Sequence, residues 1–197
     1  MAREVIDVGV AANDGSGEPL RNSMIKVNNM FEELYSDLGT TGWGYYKDSE
    51  TTTPTQTINT TPSILQIDGL GANSDSSQLP LEIFGISELW AGNKVTAIGN
   101  GDGYDIRLDL QVTSKTSNPN VIDFVLDIGG GAGITIPVVE IESSIEKAPP
   151  FSVTVVFPIF TLGTFITNGG QFFLSTDTGS VTVTSRAVLI KRDHKAR

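Results

Sequence analysis

The one histidine of the chain, His194, lies among charged residues close to its end, and cysteine is absent. A serine nucleophile needs a base beside it, and neither a second imidazole nor a Gly-x-Ser-x-Gly elbow is present. Zinc sites are built from clusters of His and Cys, which a lone His does not supply. Gly129-Gly130-Gly131-Ala132-Gly133 suggests a phosphate loop, but no Lys-Ser/Thr follows, and Ile134-Thr135-Ile136 reads as a strand instead of a helix start. Asn100-Gly101-Asp102-Gly103-Tyr104-Asp105 opens like a calcium loop yet lacks the carboxylate ladder and closing Glu, so a turn into a strand accounts for it better. Paired carboxylates are the remaining route, because glycoside hydrolysis needs only two acids, roughly 5 to 9.5 Å apart. Asp105 with Asp109, and Asp123 with Asp127, have the spacing for one strand face. In a protein with 23 acidic residues, such pairs are what a solvated sheet face presents. No catalytic, cofactor-binding or metal-binding residue is expected, and no cofactor.

At 197 residues the chain has room for one well-filled core and an appendage. With 39% hydrophobic and 18% charged residues it is globular, while 21 Gly, 9 Pro and many Thr and Ser favour turns and strands. A formal net charge of −10 opposes general binding to nucleic acid, since phosphate is repelled by most of such a surface. The last seven residues are the exception: Lys191, Arg192, Lys195 and Arg197 make a basic tail, read either as a solvated terminus or as a contact for an acidic neighbour. No apolar run approaches the ~20 residues that span a bilayer, and the start lacks a basic segment followed by an apolar one. A soluble product without an export signal or membrane contact is expected.

The clearest local pattern lies near the start. Gly15-Ser16-Gly17 forms a loop, Glu18 and Pro19 suit a first helical turn, and Leu20, Met24, Val27, Phe31, Leu34 and Leu38 follow at alternating spacings of four and three. That spacing predicts one apolar stripe on a helix ending before Gly39, with Arg21, Asn22, Lys26, Asn28, Asn29, Glu32 and Glu33 on other faces. So short a helix is marginal alone and must pack, either on its own β domain or on a neighbour. Residues 39–62, rich in Thr, Gly, Tyr and Pro, read as a linker.

From residue 63 the patterns are those of strands. Ile64 to Ile67 and Leu81 to Ile86 are short candidates; Tyr104 to Val112 alternates cleanly, with Ile106, Leu108, Leu110 and Val112 on one face. Ile122, Phe124, Leu126 and Ile128 repeat this after a turn at Ser117-Asn118-Pro119-Asn120, with Asp123 and Asp127 facing outward. Phe151 to Phe160, Phe165-Ile166, Gln171 to Leu174 and Val181 to Ile190 complete the series, with turns at Asn168-Gly169-Gly170 and Asp177-Thr178-Gly179. The expected fold is mainly β: an antiparallel β-sandwich, a jelly roll, over 63–197, preceded by a short N-terminal α-helix within 1–38.

The run Asn13-Asp14-Gly15-Ser16-Gly17-Glu18, then Leu20-Arg21, Lys26-Val27-Asn28 and Phe31-Glu32-Glu33-Leu34-Tyr35 resembles an N-terminal segment that recurs in tailed-bacteriophage virion proteins. Met30 departs from it, standing where Asn is common. The resemblance covers about 30 residues and implies attachment, since related segments precede variable β-rich bodies on fibre, baseplate and head-associated proteins. It implies that Asn13, Asp14, Gly15, Gly17, Leu20, Arg21, Met24, Val27, Asn28, Phe31, Leu34, Tyr35 and Leu38 carry virion attachment or oligomerisation. The partners implied are other virion proteins, of the capsid or of the tail and baseplate. The second half, from Asn168-Gly169-Gly170-Gln171-Phe172-Phe173 through Ile190, resembles compact phage β-sandwiches or tumour-necrosis-factor-like trimers, which implies a homotrimer. Two roles stay open: a capsid decoration, cement or short head-fibre protein, and a short tail fibre or receptor-binding protein. In the second, Trp90, Tyr104 and the loop Asn73 to Ser77 are the candidates to meet a host receptor or saccharide, while Trp90, beside Leu89, reads equally as a core residue.

Overall fold

The computed structural model describes residues 5–7, 15–17, 19–38, 40–51 and 54–196, with side chains left out at 35–38. Asn13, Asp14, Glu18, Gly39 and Arg197 lie outside the described residues, as do the side chains of Tyr35 and Leu38. The chain divides into two compact units, Met1–Thr40 and Thr41–Arg197.

The first unit is built on α1, Leu20–Leu38. Pro19 stands just before it, where a missing N–H costs nothing, and its carbonyl accepts from Asn22 N at 2.8 Å and Ser23 N at 3.1 Å. Lys26 Nζ donates to the Val5 carbonyl at 2.7 Å, which ties residues 5–7 to the helix.

The second unit is an antiparallel sandwich. Its strands are β1 (Gly42–Lys47), β2 (Gln56–Asn59), β3 (Ser63–Ile64), β4 (Trp90–Ala91), β5 (Lys94–Val95), β6 (Gly103–Thr116), β7 (Val121–Asp127), β8 (Pro137–Ser144), β9 (Phe151–Phe160), β10 (Gln171–Thr176) and β11 (Ser180–His194); a short helix α2 (Gly163–Asn168) joins β9 to β10. One sheet has the order β1-β11-β6-β9, with β2 also on β11; the other runs β3-β10-β7-β8, and β4 and β5 form a small hairpin. Connections from β6 to β7, β8 to β9, β9 to β10 and β10 to β11 each cross between the sheets, which is the jelly-roll arrangement.

The two inner faces meet in a core where the Phe157 ring lies 4.9 Å from Phe172 and 6.5 Å from Phe124, and Trp90 stacks on Phe172 at 6.4 Å. Strands β6 and β9 alternate buried and exposed residues, as their sequences predict. In β11 the alternation changes phase. The register slips between Thr184 and Arg186, leaving Ser185 as an extra residue at φ 46°. Val181 and Val183 face the core before this bulge; after it Arg186, Val188, Ile190 and Arg192 do.

Several expectations change. Residues 39–62, read as a linker, carry β1 and β2, both hydrogen-bonded to β11. Gly42 and Gly44 hide the alternation there, and Gly42 is needed because a Cβ would sit 2.5 Å from the Gln78 carbonyl. Leu81 to Ile86 is a pair of tight turns, closed by bonds from Ile83 N and Phe84 N to the Pro80 carbonyl and from Ile86 N to the Ile83 carbonyl. Phe165-Ile166 lies in α2, and Ile134-Thr135-Ile136 is irregular, with the strand starting only at Pro137. Asp127 faces inward: fully buried, it accepts from Gly129 N at 2.9 Å, Thr135 N at 2.8 Å and Ile136 N. A buried carboxylate serving three amides is thereby satisfied, and it fixes the glycine-rich loop.

Candidate functional site

At about 1.5 Å per residue, α1 is roughly 28 Å long. Leu20, Met24, Val27, Phe31 and Leu34 recur every three or four residues and so form one stripe on it. Val27 is half-buried, whereas Leu20, Met24, Phe31 and Leu34 are 78%, 52%, 51% and 42% exposed. Arg21 and Asn28, seven residues apart, follow one edge of the stripe and are also exposed. The other flank is the more covered one, with Ser23, Lys26, Val27 and Met30 half-buried where Lys26 reaches Val5. Gly15 and Gly17 precede the helix, and Gly15 adopts a left-handed φ of 70° that glycine takes without strain. Ile25, 48% exposed, adds apolar surface that the stripe pattern missed. Such a helix can bury its exposed apolar side chains in a groove of another protein surface.

In the sandwich, the side chains considered for chemistry have structural tasks. Asp109 accepts from Arg107 Nε at 2.9 Å and from Thr154 Oγ1 at 2.8 Å. A hydrogen bond with Asp193, then burial, raise the Asp105 carboxyl, while Lys191 foremost lowers that of Asp193. Burial raises Asp123, aided by Glu142 and Asp177. Asp102 accepts from Gly99 N, Arg192 Nη1 and Ala196 N, each at 3.0 Å, so the calcium-like loop holds a guanidinium. Among the described residues no group of three or more His, Cys, Asp and Glu side chains is arranged to hold a metal.

The basic tail, expected as a solvated end or a contact for a neighbour, is largely consumed within the fold. Arg192 is fully buried and bridges Asp102 and Glu82, and Lys195 adds an ion pair to Glu82. Burial pushes the Glu82 carboxyl up, but the hydrogen bonds from Lys195 and Arg192 outweigh it and hold the group below its ordinary range. The unfolded chain therefore takes up this proton first. The contribution of Glu82 to stability is complete above its unfolded pKa of about 4.3 and is lost as pH falls through the lower folded value. Denaturation midpoints of the Glu82→Gln variant are expected to fall below those of the parent at neutral pH and to converge with them in acid. A gap that stayed constant with pH would refute this.

The loop residues named for ligand contact are brought together only in part. Trp90, Tyr46, Ser74, Ser76, Asp68, Asp75 and Glu88 line a cavity of about 410 Å³. Trp90 forms its buried floor, donating Nε1–H to the Ile67 carbonyl at 2.8 Å. Tyr46 donates to Glu88 at 2.8 Å, and burial foremost, then that bond, push its phenol well above the ordinary range. Tyr104 is elsewhere, buried near Asp102 and Ile98, with its phenol pushed by burial up to about 12.

No protein-family model matches the chain, and none of the curated proteins matches it in sequence. Among solved structures, the Eiger TNF of S. frugiperda is similar at 9% identity and a TM-score of 0.49, over 80% of this chain and 96% of that one. The vertex protein P5 of PRD1 is similar at 14% identity and a TM-score of 0.44, over 78% and 97%. A chain of Broad Bean Stain Virus is similar at 10% identity and a TM-score of 0.34, over 80% and 86%. The jelly-roll assignment itself stands on the strand order and register.

Proposed function

We propose that this chain is a non-enzymatic structural protein of a tailed-phage virion: a capsid decoration, cement or short head-fibre protein that attaches through its N-terminal segment and carries the sandwich as its outward body, as a homotrimer. The observation that carries this reading is the exposed stripe of Leu20, Met24, Phe31 and Leu34 on a helix whose sequence resembles a phage attachment segment. Burying these four side chains contributes on the order of 5 kcal/mol gross before ordering costs. Three linked copies add avidity without any new contact.

Phe31→Asp combined with Leu34→Asp places charge in the stripe, within the first unit and outside the sandwich's own sequence. The full-length double variant is expected to fold, with far-UV circular dichroism unchanged, and to be missing from purified particles. Normal incorporation would overturn the attachment reading.

A second reading, a short tail fibre or receptor-binding protein, draws support from the cavity between Trp90 and Ser74 to Ser76. Host polysaccharide that bound there, and was blocked by Ser76→Trp, would favour it.

A further inference from the structure

The exposed apolar side chains of the sandwich are gathered at one of its ends. Register defines that end: Gly42 is opposite Arg192, Gly103 is opposite His194 and Phe160, and Gln171 is opposite Asp127. Helix α2 and the turns 80–87 lie there too, the latter through Glu82 on Arg192. Leu81, Ile86 and Phe160 are 70%, 82% and 75% exposed at this end, joined by Phe84, Leu162 and Ile136. Among the described residues of the sandwich, only Leu70 and Val156 of the large exposed apolar side chains lie outside it.

The turns that carry Leu81, Phe84 and Ile86 are anchored. Ile83 packs against the core, and Glu82 is clamped by Arg192 Nη1 and Nη2 at 3.0 and 2.9 Å and by Lys195. Large apolar side chains held outward on a fixed turn stay in contact with water unless another surface covers them.

We infer that this end of the sandwich is a second docking face, and that its occupant is the same protein surface of the particle that receives the N-terminal helix. The inference rests on the virion reading above. Two features select this occupant. Only Gly39, Thr40 and Thr41 stand between α1 and β1 in the chain, and β1 begins at this end of the sandwich. Of the charges here, Glu82 and Asp102 are matched within the fold by Arg192 and Lys195, and Lys94 reaches the Asn168 carbonyl at 3.3 Å, in a chain whose net charge is −10. The face therefore suits an apolar, uncharged partner surface in place of a basic one. The edge strand β8, by contrast, exposes two carboxylates, Glu140 and Glu142.

The test is hydrogen exchange on purified particles against the free full-length protein. Amides of 80–87 and 159–166 are expected to exchange at least ~10-fold more slowly on the particle, with the turns 117–120 and 177–179 unchanged. The full-length variant Leu81→Ser/Phe84→Ser/Ile86→Ser, with Ile83 kept, is expected to hold its sedimentation mass and to fall about 10-fold in particle occupancy, a change of roughly 1.4 kcal/mol. Unchanged exchange and occupancy would overturn the inference while the Phe31/Leu34 variant still tested attachment. A lowered sedimentation mass would assign the face to a second copy and overturn it likewise. Particles lacking the protein would remove both readings.

Discussion

Truncating Phe157 to Ala is expected to destabilise the sandwich by about 3–5 kcal/mol, the range for removing a fully buried aromatic ring. Phe157 lies on β9, the edge of its sheet, yet its ring is fully buried between Phe172 and Phe124 of the opposite sheet. Neither facing ring can follow into the gap, because Phe172 is itself held against Trp90 and both strands are fixed in a continuous ladder. The loss combines the transfer of the ring with the cavity left behind. For a chain of this size, it corresponds to a fall in the thermal midpoint of roughly 10 °C. Calorimetry on the purified variant measures it, and a shift of only a degree or two would mean that the inter-sheet core does not depend on this ring.

The second large effect concerns a buried charge. Arg186 and Asp48 form an ion pair with both side chains almost wholly excluded from water. Asp48 also accepts from Glu50 N and Asp68 N, each at 3.1 Å, so its carboxylate organises the chain that leaves β1. Arg186→Met leaves this carboxylate buried without its cation, which costs about 3–5 kcal/mol. Asp48→Leu combined with Arg186→Met removes the stranded charge but orphans the two amides. The double variant is expected to be less destabilised than the two single variants summed, though still weaker than the parent. Strict additivity in denaturant titrations would show that the pair is no energetic unit.

What could be read in advance follows from which physical signal each segment emits. β6 and β9 bury one face and wet the other, so period-two hydrophobicity exposes them directly. α1 emits an equally clear helical period over 19 residues. β8 emits little, since both its faces are largely exposed and Glu140 and Glu142 interrupt its apolar residues. α2 is six residues of mostly β-favouring Thr, Phe and Ile, made helical by the turn between the sheets, which overrides local propensity. The apolar run Leu81 to Ile86 imitates a strand because composition alone cannot tell an outward-facing turn from a buried edge. Arg186 and Arg192 were hidden by the bulge: a uniform alternation from Val181 would have put both on the wet face. Of the candidate site, the stripe and its flanking Arg21 and Asn28 were legible, because a surface helix repeats its pattern. The docking end was not, because it gathers residues from four segments far apart in sequence.

At the opposite end of the sandwich the turns between β6 and β7 and between β10 and β11 are joined, since Asp177 accepts from Asn120 N at 3.0 Å and Val121 N at 3.3 Å. The unit is thus a polar object with a greasy foot and a water-facing crown, and the crown's loops carry no part of the foot's register. A foreign peptide grafted into Ser117 to Asn120 would be presented at the crown, with the whole length of the strands between it and whatever the foot stands on.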